Sequence, residues 1–200
     1  MHKAGRDHLE FLLEVMGDAQ WFEEGNIRLL NTGRAADTIR RAAAEAGWGR
    51  TLPAGRGLGL AFHFSHAGHI AEVAEVSDGA NKQLTVHKVT VAVEIGPIIN
   101  MSGATNQVEG SVMDGLSTML GQQITMEAGR IEQSNFHDYP VLRIPAAPTI
   151  DVHFIQSDHS PTGIGEPALP PLAPAVANAI FAATGERVRT MPLSLAGFTV

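Results

Sequence analysis

Glu166 is the one carboxylate that stands alone in an otherwise uncharged stretch. In the run PTGIGEPALPP, Gly163 and Gly165 bracket Ile164, and Pro167 follows Glu166. Apart from His159, no other ionisable side chain lies between Asp158 and Glu186. A carboxyl group between flexible glycines and an apolar helix is expected to be partly desolvated. Desolvation raises its pKa and suits it to take a proton as a general base. The plainer reading is an acid near a helix start that complements the helix dipole, and the residues alone favour it.

Four other groups of residues could carry chemistry. Gln107, in the run NQVEG, sits near an expected helix start with Gly110 three residues on. There its amide and nearby backbone N–H groups suit a phosphate or a heterocycle edge, and a merely polar first turn fits equally well. His63, His66 and His69 fall on an expected strand, with His63 and His69 on one face and His66 on the other. That arrangement is poor for one metal ion, whose ligands must converge. Phe136, His137 and Tyr139 would either line a substrate funnel or pack beneath a loop. His137-Asp138 is not a triad signal, because no motif places a serine beside it. The glycines of GRGLGLAF lack the spacing and the following helix of a dinucleotide fingerprint, and read as an entry to a strand.

These residues need elements to position them. Leu9, Leu12, Leu13 and Met16 recur at helical spacing over 4–17, and a second helix is expected over 32–47 with Thr32 as its cap. Residues 52–59 read as a Pro/Gly loop. Residues 60–77 read as one or two strands and 82–95 as a strand rich in valine, joined by a turn at 78–81. A helix is expected from Asn106 to about Gly121, close-packed through Gly103, Gly110 and Gly115. Strands follow at 124–133, as a pair, and at 150–155. The small, uncharged run 175–184 suits a fully buried helix that Gly185 stops, and 187–192 a closing strand or turn. The fold class is α+β: a mixed or antiparallel sheet with helices packed on it. Residues 1–54 form a mainly helical segment and 55–200 the α+β domain.

Composition narrows the function. The chain has 200 residues, a net charge of −7, 14 Lys and Arg against 21 Asp and Glu, and no cysteine. It therefore holds no disulfide, no thiolate metal site and no Fe–S ligands of its own. Cations are too sparse for a nucleic-acid surface. No apolar run is long enough for a transmembrane segment, and no targeting segment is visible, which leaves the compartment open between cytoplasm and periplasm.

The motifs Gly165-Glu166, Pro174-Ala175 with Asn178-Ala179-Ile180, Gln107-x-x-Gly110, and Asp138-Tyr139-Pro140 together resemble the molybdenum-binding subunit of the xanthine oxidase family of molybdenum hydroxylases. AFHFSHAGHIAEVAEV and TGIGEPALPP are most similar to the β subunits of the isoquinoline 1-oxidoreductase branch, or to an aldehyde-oxidising relative. AGRDHLEF also resembles an upstream segment of the family's chain, departing from it at His8 and Leu12. The order of motifs holds from about Gly55 to Pro192. The family's molybdenum chain is several times longer, so this sequence resembles its C-terminal piece and is not expected to catalyse alone.

The resemblance implies hydroxylation of an N-heterocycle or an aldehyde with oxygen from water, Glu166 being the catalytic base. It implies a molybdenum-pterin cofactor, expected as the cytosine dinucleotide, with Gln107 reaching the pterin and Gly110 and Gly165 beside it. The pterin holds the metal, so no protein ligand to it is expected. The partners implied are the remainder of the molybdenum subunit, and a [2Fe-2S] subunit that carries electrons away. The rival expectation is a truncated or stand-alone α+β binding module without catalysis.

Overall fold

A computed structural model describes residues 2–26 and 28–199; Met1, Ile27 and Val200 lie outside the described residues. Four strands form the main sheet in the order β1-β2-β3-β6. These are β1 (Arg56–Ser65), β2 (Gly68–Asp78), β3 (Leu84–Glu94) and β6 (Thr149–Phe154). The first three form an antiparallel meander, and β6 joins β3 in parallel. A two-strand hairpin, β4 (Met126–Glu127) and β5 (Arg130–Ile131), stands apart.

Helices cover both faces of the sheet. Helix α2 (Thr32–Ala46) packs on one face, where Ile39 and Ala42 meet Leu60, Ala71, Val73 and Ala92. Helix α1 (His8–Met16) adds Leu9, Leu12, Leu13 and Met16 to this cluster. Helix α4 (Leu172–Thr184) covers the other face, and α3 (Met101–Leu120) packs beside it. Burying these two apolar faces is the main favourable contribution to the fold.

Local chemistry sets the helix ends. Asp7 caps α1 by accepting from the Glu10 N–H at 3.1 Å, and Asn31 caps α2 by accepting from Arg34 N–H at 2.9 Å. Thr32, the expected cap, instead donates its hydroxyl to the Asp18 carbonyl at 2.6 Å. Asn100 caps α3 through Gly103 N–H at 2.9 Å, so this helix begins at Met101 and not at Asn106. The side-chain cap explains the earlier start.

Three further expectations change. The strand β1 begins at Arg56, within the expected loop, and its glycines are packing residues. A methyl group at Gly57 or Gly59 would overlap the α4 backbone at Ala179 and Ala183 or at Ala175 and Ala179. Helix α4 buries only one side: Leu172, Ala175, Val176, Ala179 and Ile180 are buried, while Pro174 and Ala182 are exposed. Small residues there reflect a close helix-sheet approach rather than all-round burial. Finally, His66 and Ala67 form a two-residue hairpin turn at φ 51° and 62°, a conformation the sequence hides because neither is Gly or Asn.

Candidate functional site

The loop from β6 to α4, residues 155–171, brings Glu166 to the surface. The Glu166 carbonyl accepts from Leu169 N–H at 2.9 Å, so the residue heads a turn ahead of α4 rather than lying in its first helical turn. Its side chain is exposed. The expected burial of this residue is therefore absent.

The loop docks on α3. Ser111, buried on that helix, donates its hydroxyl to the Gly165 carbonyl at 3.3 Å. Gln107 lies four residues before Ser111, one turn back on the same face. The Gln107 and Glu166 regions, distant in sequence, are thus brought together by one hydrogen bond. Gln107 is exposed and lies in the second turn of α3, not at its start, so its own backbone N–H is inside the helix.

The glycines divide by role. A Cβ at Gly110 or Gly165 would meet nothing within 4 Å, so the main chain is open to a ligand at both positions. Gly110 is therefore not a packing residue, contrary to expectation. Gly115 is one, since its Cβ would lie 2.9 Å from Leu172 Cδ2. An exposed carboxylate, an exposed amide and two open stretches of backbone make a surface that could receive a flat polar group from outside.

The histidines do not converge. The turn at His66 puts His63 opposite Ile70 and His69 opposite Phe64, so His63 and His69 point to opposite faces of the sheet. His69 is fully buried, with its ring 4.9 Å from that of Phe64. Among the described residues, no three His, Asp or Glu side chains gather to hold a metal ion.

Phe136 and His137 are exposed, and Phe136 and Tyr139 line a shallow hollow with Ile124. They do not pack beneath a loop. Asp138 organises this stretch by accepting from Asn135 N–H at 2.9 Å and Ser134 N–H at 2.9 Å. Those backbone bonds hold its carboxyl below the usual range. A groove of about 930 Å³ lies on the outer side of α4 between Phe181, Arg187 and Met191, and its lining includes neither Glu166 nor Gln107.

Sequence reasoning missed three buried carboxylates, one of which, Glu75, pairs with Arg50 and Arg56. Glu72, on β2, is fully buried beneath the α4 layer, and neither of its oxygens has a hydrogen-bond partner. Burial pushes its pKa well up, the shift expected for Glu166. Glu94, at the end of β3, pairs with Arg34 inside the protein. In the sequence, Glu72 and Glu94 resemble ordinary strand residues; α4 covers the first, and α2 with the loop after β6 encloses the second.

The chain matches the molybdopterin cofactor-binding domain family over residues 9–148. It is 35% identical over 169 residues to the beta chain of isoquinoline 1-oxidoreductase from Brevundimonas diminuta, covering 82% of this chain and 22% of that protein. It is 32% identical over 190 residues to a nicotinate dehydrogenase subunit of Pseudomonas putida, covering 86% and 16%. A membrane-bound aldehyde dehydrogenase of Gluconacetobacter polyoxogenes is 32% identical, with 96% and 26% covered. The chain therefore spans about a quarter or less of the length of these relatives. Among solved structures, quinoline 2-oxidoreductase from Pseudomonas putida 86 superposes with a TM-score of 0.58 at 18% identity, over 63% of this chain and 17% of its own. Aldehyde oxidoreductase from Desulfovibrio gigas gives 0.55 at 24%, over 62% and 14%. These structural likenesses support the α+β fold.

Proposed function

The chain belongs to the molybdopterin cofactor-binding domain family, and on that footing we propose that it supplies one wall of a molybdenum hydroxylase active site, with Glu166 as the general base. The substrate class is an aromatic N-heterocycle or an aldehyde, as in the names of its relatives. The observation that carries the reading is the Ser111–Gly165 hydrogen bond, which sets the Glu166 loop against the helix that bears Gln107.

The residues fit the implied cofactor. Gln107 offers an exposed amide to the edge of a pterin, and the open backbone at Gly110 and Gly165 leaves room for its close approach. We assign the pterin as the cytosine dinucleotide form and the electron acceptor as a [2Fe-2S] partner subunit. When bound, the cofactor supplies oxygen transfer from water and takes up the substrate's electrons. Glu166 would take up, on a carboxylate oxygen, a proton from the water that supplies the oxygen, and Gln107 would hold the edge of the pterin.

A base works best with water excluded, and Glu166 is exposed in this chain. The cover must come from further polypeptide. Residues 121–150 support this, because none of the thirty is buried while Ile124, Met126, Ile131, Phe136 and Ile144 are exposed. A self-sufficient binding module would seal such a surface. The test is Glu166→Gln in the assembled enzyme. Turnover should fall below detection while molybdenum stays bound. Near-normal turnover would refute the assignment.

A further inference from the structure

We propose that Glu94 is a positioning residue, which with Arg34 and Ser157 forms a buried clamp that fixes the loop presenting Gly165 and Glu166. The role in placing a catalytic base rests on the reading above; the clamp itself does not.

The three residues come from three separate parts of the chain. Arg34 is on the first turn of α2, Glu94 ends β3, and Ser157 lies just after β6. Glu94 uses both oxygens. Oε2 accepts from Arg34 Nε, and Oε1 accepts from the Ser157 hydroxyl and from Gly96 N–H at 3.2 Å. The Arg34 and Glu94 side chains are only 7% and 3% exposed. Charge-assisted bonds at such depth are directional and strong, so they fix position and not only proximity.

His69 completes the surroundings. Asn31 N–H donates to its Nε2 at 3.3 Å, which leaves the proton on Nδ1, 3.7 Å from Glu94. Burial, with the nearby Arg34 charge, lowers its pKa to about 3 and keeps it neutral. The clamp thus holds one cation and one anion, each the other's compensation.

Hydrogen bonds fasten the loop along its first half and at Gly165, and beyond Glu166 the buried Pro167 and Ala168 anchor its other end. Ile155 N–H donates to Val93 O at 2.8 Å, and Thr162 N–H donates to Ile95 O at 3.0 Å. Between them, His159 stacks edge-on against Trp21, whose ring lies below Arg34. The loop backbone at Ser160 runs so close to Gly96 that a Cβ there would sit 2.9 Å from the Ser160 carbonyl. Residues 163–166 project from this anchored root toward α3. A loosened root would let the Gly165–Glu166 pair move relative to Gln107.

Ser157→Ala removes one bond and leaves the Arg34–Glu94 pair intact, so the chain should still fold. Hydrogen exchange of the full chain is the first readout. Amides of residues 157–166 should exchange roughly 10- to 100-fold faster, the range expected for losing a hydrogen bond to a charged group. The β2–β3 amides should not change. Ser157→Thr should restore slow exchange, and Glu94→Gln should loosen the same segment further. Unchanged exchange in 157–166, or acceleration shared equally with β2 and β3, would overturn the proposal.

The second readout is the assembled, molybdenum-loaded enzyme. There Ser157→Ala should lower kcat with KM unchanged, and Ser157→Thr should recover it. A loosened loop with unaltered kcat would uphold the clamp and overturn its role in placing the base, whereas Glu166→Gln tests the base itself, so the two failures are distinguishable.

Discussion

Replacing Glu72 by glutamine should remove a large pH dependence from the stability of this protein. Glu72 is fully buried, and both of its oxygens lack partners. It lies between Ala61 on β1 and Val91 on β3, with Ile70 and Ala74 on the same face of its own strand. None of these neighbours can stabilise a negative charge, and burial raises its pKa well above the ordinary 4.5. The folded state then holds a proton that the unfolded state releases. Above pH 4.5 this group lowers stability by about 1.4 kcal/mol per pH unit, until the pH reaches its folded value.

His69 acts in the opposite sense. Its folded pKa is lowered to about 3 from 6.5. The unfolded state therefore binds the extra proton below pH 6.5, and stability rises with pH up to that point at a similar slope. Between pH 4.5 and 6.5 these two contributions oppose each other, while His8, His63 and His87, also lowered by burial, act in the same sense as His69. The difference between Glu72→Gln and the parent isolates Glu72. Urea denaturation upward from pH 5 should show the variant's advantage growing by about 1.4 kcal/mol for each pH unit until the folded pKa of Glu72 is reached. Parallel profiles over that range would refute the claim that Glu72 is buried without a partner.

Two further outcomes test the packing and the site. Gly59→Ala should destabilise the chain by about 1–3 kcal/mol or more, as overpacking does, because its methyl would overlap the backbone of α4; thermal unfolding that matches the parent would contradict this close approach. Ser111→Ala should cost about 1 kcal/mol of stability from one lost hydrogen bond. In the assembled enzyme it should lower kcat more than it raises KM, since Ser111 holds Gly165 against α3; an unchanged kcat would detach this contact from function.

Much of the scaffold was legible because its signals are local. The valine alternation of β3, the helical spacing of Leu9, Leu12, Leu13 and Met16, and the stop at Gly185 each depend on neighbours a few residues away. The pairing of Gln107 with the Glu166 loop was legible only through the family resemblance. The start of α3 was not legible, because Gly103 reads as a loop residue unless Asn100 is known to cap through it. The burial of Glu72 could not be read from AEVAEV, where it matches the exposed face of an ordinary strand. It depends on α4, about a hundred residues later, docking over Gly57 and Gly59. The Arg34–Glu94–Ser157 clamp is invisible for the same reason: its residues are about sixty positions apart and meet only when α2, β3 and the loop after β6 converge.

The most direct test of the central claim is elemental analysis of the protein captured from its native host through a C-terminal tag, together with whatever polypeptide it is joined to. The account predicts molybdenum in a stoichiometric amount, bound in the parent and also retained in Glu166→Gln. Captured protein that carries no molybdenum would contradict a cofactor-binding role and turn the assignment toward a binding module that keeps the fold without its chemistry.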